Sequence, residues 1–566
     1  MDIFQTTITA IHEIYNITIF IRSVLKKMRE QEESLVQIQA KFDVEFAFLV
    51  EFKHLFFDSD RQRQYYRFLR PHMARAINVV VVELDKGLAN YRLLLQSEGL
   101  DIAHLETDVD AVAGDGNTGE VQPQASSPAV AAIRDTIKRE LAAKKKELKW
   151  ALFTQEKLEA LVDRYELWSR KLRRVMKLVL LEEGQLGSQT RINLADKQAP
   201  ALRLGRTAAR QIRARDVGPQ DDFIPLGGEF APKPATDRLS STSYQIGVYT
   251  DELGDTFDAV REQHTFDIFD PHVDAQTKRQ TRLRLIRSLA WLLTVDNATS
   301  SDGDDSDTPL LQCIGYFPDK GNSYPALLYA LPPSDPLFRC KTLYDHLLSD
   351  PAPALGDRFF IAWYLASTIS DIHTSGWVHK GICARGILIS PSSKMPKPYL
   401  VGWTAARPHN KQLQEGSLSF GIRIRQQDSH KTQQVPSLES QLYMHEERYG
   451  RPVRGFESKH DIYSLGVVLL EIGLWAPIGK VFEKACQTAK EKNQLTPYTI
   501  VLKNLLKKAQ EGELPRAMGQ EYGRLVRRCL ETNFEVADEE DDEKHTVLIS
   551  QFQSLVVDRL QDCCSL

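Results

Sequence analysis

Residues 371–404 constrain the fold of this 566-residue chain more than any other stretch. They read DIHTSGWVHKGICARGILIS, PSSKMPKPY and LVGWT. The end of a helix that begins near Phe359 leads through His379-Lys380-Gly381 into the apolar strand Ile387-Leu388-Ile389, and then to Gly402-Trp403-Thr404. A second segment, SKHDIYSLGVVLLEIGLW at 458–475, carries Leu, Val and Ile around Gly466 and predicts a helix buried on all sides. Helices and short apolar strands in one region call for an α+β core there.

Together the two segments resemble the catalytic loop, metal-binding strand and buried helix of protein kinases. The family pattern is H-R-D, a Lys two residues on, an Asn three further on, an apolar strand, then D-F-G. His379 stands at the His and Lys380 at the Arg, but Gly381 takes the catalytic Asp position. Cys383 replaces the Lys, Gly386 the metal-binding Asn, and Gly402 the D-F-G Asp. Phosphoryl transfer needs carboxylates to hold magnesium and to accept the hydroxyl proton, and glycine does neither. Each such loss costs about 10²–10⁴-fold in rate. The resemblance implies a bilobal fold kept for shape and switching, with no catalytic residue and no metal site. In that frame Asp461 and His379 are structural, Asp461 accepting from the backbone of the 379–381 loop.

The preceding residues are equally poor in nucleotide chemistry. YQIGVYT (244–250) and HTFDIFD (264–270) alternate as strands do, yet Gly247 and Gly254 do not make G-x-G-x-x-G. No lysine lies between Ala235 and Thr277, which leaves Arg261 as the nearest basic residue. The helix expected over 277–294 contains no Glu to complete the usual Lys–Glu pair. No cofactor is expected, and ATP binding is disfavoured. LLQCIGYFPDKG (310–321) and YPALLYALPP (324–333) read as further strands, giving a small lobe at 241–333 and a large lobe at 334–562.

Residues 1–185 read as a helical bundle. Helical spacing of apolar residues marks 3–28, 34–57, 61–97 with a break or restart at Pro71, and 154–182; another helix is expected over 129–152. The Gly-, Pro- and Ser-rich stretch 103–128 is expected to be a flexible insert. KELKWALFTQEKLEALVDRYELWSRKLRRVM, 146–176, resembles the late helices of the fungal HeLo domain. Members of that family are membrane-disrupting executioners, and the resemblance implies that Ile3, Phe4, Ile8, Ile11, Ile14, Ile17 and Phe20 form the membrane-active helix. At about 1.5 Å per residue, residues 3–21 would cross most of a hydrocarbon core about 30 Å thick. His12 and Glu13 oppose insertion of a single copy and favour a self-oligomer around a wet lumen. Lys144 to Lys149 and Arg164 to Lys177 would suit an anionic membrane. The plainer alternatives are an ordinary bundle helix and a solvated basic face.

Residues 186–240 are expected to be a linker containing one short helix near 203–215. The order of bundle, connector and degenerate kinase is similar to that of the mixed lineage kinase domain-like pseudokinases, and the connector is expected to be either a helical brace that transmits the state of one domain to the other or a passive tether. The expected fold is therefore multidomain, an all-α helical bundle followed by a bilobal α+β protein-kinase-like fold.

Net charge of −4 excludes a nucleic-acid binder, and seven irregularly spaced cysteines exclude a disulfide framework. A cytoplasmic protein, recruited to membrane, is expected. Cys563-Cys564-Ser565-Leu566 has the length of a prenylation box, with Cys563 as the acceptor. Three functions compete: a pseudokinase-regulated effector of fungal programmed cell death or self-recognition that senses protein partners, a non-catalytic two-domain scaffold, and an unconventional kinase using Asp371, Glu446 or Glu447.

Overall fold

The computed structural model describes residues 3–29, 35–58, 69–98, 152–181, 185–196, 199–215, 223–232, 244–264, 274–294, 310–318, 324–331, 341–390, 396–409, 438–448, 456–492, 498–534 and 541–564. The insert at 103–128, the helix expected over 129–152 and the basic run Lys144–Lys149 lie outside the described residues. The chain divides into two compact units. The first is Met1–Leu180 with Gly184–Gly205, and the second is Leu181–Glu183 with Arg206–Leu566. Most of the segment read as a linker thus belongs to one unit or the other.

The first unit is helical: α1 Ile3–Arg29, α2 Val36–Lys53, α3 Pro71–Gly87, α4 Ala89–Glu98, α5 Gln155–Leu181 and α6 Gln185–Ala195. Pro71 begins α3, where its fixed φ fits and its missing N–H costs nothing, which is the restart read at that residue; residues 61–68 lie outside the described residues. α1 packs on α2, α3 and α4. Ile11, Ile14, Ile17, Ile21 and Leu25 recur at helical spacing and are all fully buried or nearly so. Thr7 and Thr18 are buried with them and stay satisfied. Thr7 Oγ1 donates to Asn78 Oδ1 at 2.9 Å, and Thr18 Oγ1 lies 2.6 Å from the Tyr165 hydroxyl of α5. Tyr165 in turn meets Phe42 edge-on at 5.3 Å. Ile14→Ala should cost about 2–5 kcal/mol by transfer and cavity terms, read as a lower denaturant midpoint of the first unit. A cost below 1 kcal/mol would show that α1 is only loosely seated. No helix among the described residues is long and apolar enough to cross a membrane.

From Arg206 onward the second unit contains α7, whose full span is Gly205–Arg215. Gln211 Nε2 donates to Thr374 O at 2.6 Å, the Arg213 guanidinium donates to Trp291 O, and Ala214 joins the apolar core. Then come β1 Glu229–Pro232, β2 Tyr244–Thr250, β3 Thr256–Gln263, α8 Ala275–Leu293, β4 Gln312–Phe317 and β5 Ala326–Ala330. The strands form one antiparallel sheet in the order β1-β2-β3-β5-β4, with α8 against β4. β3 falls on TFDAVREQ, which sequence reading did not single out; HTFDIFD beyond His264 lies outside the described residues. Alternation along β3 turns Phe257, Ala259 and Arg261 to one face and Val260, Glu262 and His264 to the other.

The remaining elements are β6 Lys341–Thr342, α9 Leu343–Ser349, α10 Leu355–Thr374, β7 Trp377–Val378, β8 Ile387–Ser390, β9 Lys397–Leu400, β10 Arg407–Pro408, α11 Leu438–Leu442, α12 Ser458–Leu474, α13 Ile478–Val481, α14 Glu483–Lys492, α15 Tyr498–Gln510, α16 Glu513–Glu531, α17 Asp541–Phe552 and α18 Asp558–Cys564. α12 is buried along nearly its whole length, as a helix apolar all round must be. It runs against α16 and α10. Gly466 permits the approach to α16, since a Cβ there would lie 2.9 Å from that of Cys529. Cys563 is buried on α18 against the same core, so its thiol becomes available for modification only if the end of that helix leaves the core.

Candidate functional site

The site is the loop between α10 and β10 together with the two elements that hold it. Asp461, in the first turn of α12, is fully buried. Its Oδ2 accepts from His379 N at 2.7 Å and its Oδ1 from Lys380 N at 2.8 Å. His373 Nε2 lies 3.2 Å from Oδ2. Lys380 has φ of 66°, a strained left-handed conformation that these bonds hold in place. Burial alone would raise the Asp461 pKa, but the His373 contact, the neighbouring imidazoles and the backbone N–H override it and hold it below the usual value. His379 is buried too, with its ring 4.7 Å from that of Trp403 and its Nδ1 accepting from Gly381 N at 3.2 Å. Burial lowers its pKa to about 4, so the ring is neutral at pH 7.

Gly381, Gly386 and Gly402 meet backbone against backbone. A Cβ on Gly381 would lie 3.1 Å from Gly402 O, and one on Gly386 would lie 3.2 Å from Val401 O and 3.4 Å from Gly381 O. Gly402 has φ of 89°, and a Cβ there would come within 2.9 Å of the Tyr244 hydroxyl. Any side chain added at these positions meets carbonyl oxygens or a phenol at close range. A Cβ at Gly381 or Gly386 would press on a main-chain carbonyl, and one at Gly402 on the Tyr244 side chain. The Cys383 thiol is pushed up by burial and stays protonated.

Sequence reading missed Glu262. It lies on the core face of β3 and is 1% exposed by side chain. Its Oε2 accepts from Gly402 N and from the Tyr329 hydroxyl, both at 3.1 Å. His264 Nε2 is 3.3 Å from Oε1, but burial takes the His264 pKa to about 3, so the contact is not an ion pair. Burial, and after it the Glu262 charge, pushes the Tyr244 and Tyr329 phenols well above their usual range. The signal was present in the sequence: Glu262 follows Val260 by one strand period. Arg261 points to the other face, its guanidinium 6.0 and 5.7 Å from the Phe230 and Phe317 rings.

The other candidate acids are engaged elsewhere. Asp371 interacts electrostatically with buried Arg210, and Glu447 bonds Lys459 at 2.6 Å and His460 at 3.0 Å. Glu446 sits in the short helical turn Glu446–Arg448. His445, Glu447 and His460 bring possible ligand atoms within 4.8 Å of one another. Yet His445 Nδ1 accepts Glu447 N–H at 3.3 Å, and His460 Nδ1 accepts Glu457 N–H at 2.9 Å. A neutral ring that accepts at Nδ1 carries its proton on Nε2, which leaves no lone pair for a metal. This group is a helix cap, not a metal centre.

Of the residues assigned to a membrane-active helix, Ile11, Ile14, Ile17 and Phe20 are buried in the bundle, Phe4 and Ile8 are half-buried, and Ile3 begins α1. Glu13 pairs with Arg92 at 2.7 Å inside the unit. On α5, Arg164 donates to Gly87 O, Lys171 pairs with Glu83, and Arg173 donates to Leu202 O. Much of the basic face is thus tied to the bundle itself. Compared with known proteins, the chain matches no protein-family model and no curated sequence.

Proposed function

We infer that this chain is a non-catalytic signalling protein whose second unit is a kinase-like fold retained for its shape. The carrying observation is the main-chain packing of Gly381, Gly386 and Gly402. Glycine supplies no carboxylate at these three positions, and a side chain at any of them would crowd its neighbours. Three features support the kinase-like assignment: a five-stranded antiparallel sheet with a helix between β3 and β4, a glycine-bearing loop before β8, and Asp461 anchoring that loop from a buried helix. Glu262 puts an acidic side chain beside Gly402, where nucleotide phosphates would need a cation.

Magnesium-ATP at millimolar concentration should therefore leave the melting temperature of the full chain unchanged, and radiolabel should not transfer. A ligand at 100 times its Kd would add about 2.7 kcal/mol, well within detection. A clear nucleotide-dependent shift would overturn the inert reading.

The second reading makes the first unit a membrane-active effector of fungal cell death or self-recognition, with protein partners sensed by the second unit. It draws support from α1, where releasing one helix would expose Ile11, Ile14, Ile17 and Phe20 together. Full-length protein should then release dye from anionic liposomes, and a chain lacking residues 1–21 should not. Intact liposomes in both cases leave the two-domain scaffold.

A further inference from the structure

The geometry points to Glu262 as a built-in latch: its carboxylate takes the place of a bridging ligand and ties the β-sheet of the second unit to the loop that carries Gly402. This deepens the inert kinase-like reading and rests on it. The two ends of the latch are 140 residues apart in sequence and come from different layers of the unit. On one side Glu262 is held by β3, paired to β5 through Glu262↔Leu327. On the other, Gly402 sits at the turn after β9, with its N–H aimed at Oε2 from 3.1 Å.

Three observations give the contact its shape. Tyr329, on β5, donates to the same Oε2, so the carboxylate is oriented from its own sheet before it reaches Gly402. Tyr244, on β2, holds its hydroxyl 2.9 Å from where a Cβ on residue 402 would fall, a contact that glycine alone avoids. Gly402 also adopts φ of 89°, which turns its N–H out of the run of β9. A backbone N–H bonded to an acceptor in the buried, low-dielectric interior makes a stronger bond than the same pair in water. The bond therefore sets the spacing between the sheet and the Gly402 turn without any bound molecule. A partner that parts these layers must first break it.

Hydrogen exchange on the full chain tests this. In the wild type the Gly402 amide should be strongly protected. Glu262→Ala should raise exchange in the peptide 399–406 at least ten-fold, while Tyr329→Phe, which keeps the Gly402 bond, should change it less than three-fold. Should Glu262→Ala fail to fold, Glu262→Gln retains one acceptor oxygen and should fall between the two. A wild-type Gly402 amide that exchanges like an exposed loop amide overturns the latch. So does an alanine or glutamine variant with wild-type protection. Nucleotide binding is scored separately: magnesium-ATP that stabilised the wild type while Gly402 stayed protected would defeat the inert reading and leave the latch standing.

Discussion

Replacing Asp461 by alanine should cost about 3–5 kcal/mol, because it strands two buried N–H groups and removes what holds Lys380 left-handed. Asparagine should cost nearly as much. Its amide presents one oxygen to two N–H donors, and its NH₂ then faces the second of them. Denaturant unfolding of the second unit, followed by tryptophan fluorescence, reads the loss directly. The pH dependence has a definite sign. The folded-state pKa lies below the ordinary 3.8, so this stability is present above that value and disappears as pH falls through the folded pKa. An alanine variant within 1 kcal/mol of wild type would remove Asp461 as the anchor of the loop.

The second large effect runs the other way with pH. Glu471 is fully buried on α12, its Oε1 accepting from the Tyr443 hydroxyl and from Ile478 N, each at 2.7 Å. Burial outweighs these bonds and raises its pKa from 4.5 to about 8. Between those values the folded chain keeps a proton that the unfolded chain has lost, so the contribution of Glu471 to stability is full below pH 4.5 and declines as pH rises to 8. At about 1.4 kcal/mol per pKa unit, the decline amounts to roughly 3–5 kcal/mol. Glu471→Gln should flatten the profile and be the more stable protein above pH 8. Melting curves from pH 5 to 9 decide it: parallel profiles for the two proteins would mean that Glu471 is already ionised when folded.

Much of the second unit was legible locally. YQIGVYT alternates and is β2, and SKHDIYSLGVVLLEIGL is apolar all round and forms the buried α12. Asp461 could be placed because it opens that helix. Glu262 is not legible as a site residue, because a buried acid on a strand means nothing until its partner is known. That partner, the Gly402 N–H, lies 140 residues on. TFDAVREQ as β3 was also hidden, since it does not alternate strictly and its pairing with β2 and β5 comes from residues far along the chain. In the first unit, apolar spacing in α1 is the same for a helix seated in a bundle and for one entering lipid. The partners Asn78, Arg92 and Tyr165 appear only when the chain is folded.

The sequence by itself determined which residue types stand at the loop and which faces of its helices and strands are apolar, because side-chain chemistry and periodicity are local properties. Tertiary structure decided that the three glycines close on one another, that Glu262 turns inward while Arg261 turns out, and that α1 lies in a packed core. Those outcomes depend on which distant backbone arrives within hydrogen-bonding reach, and no window of sequence contains that distance.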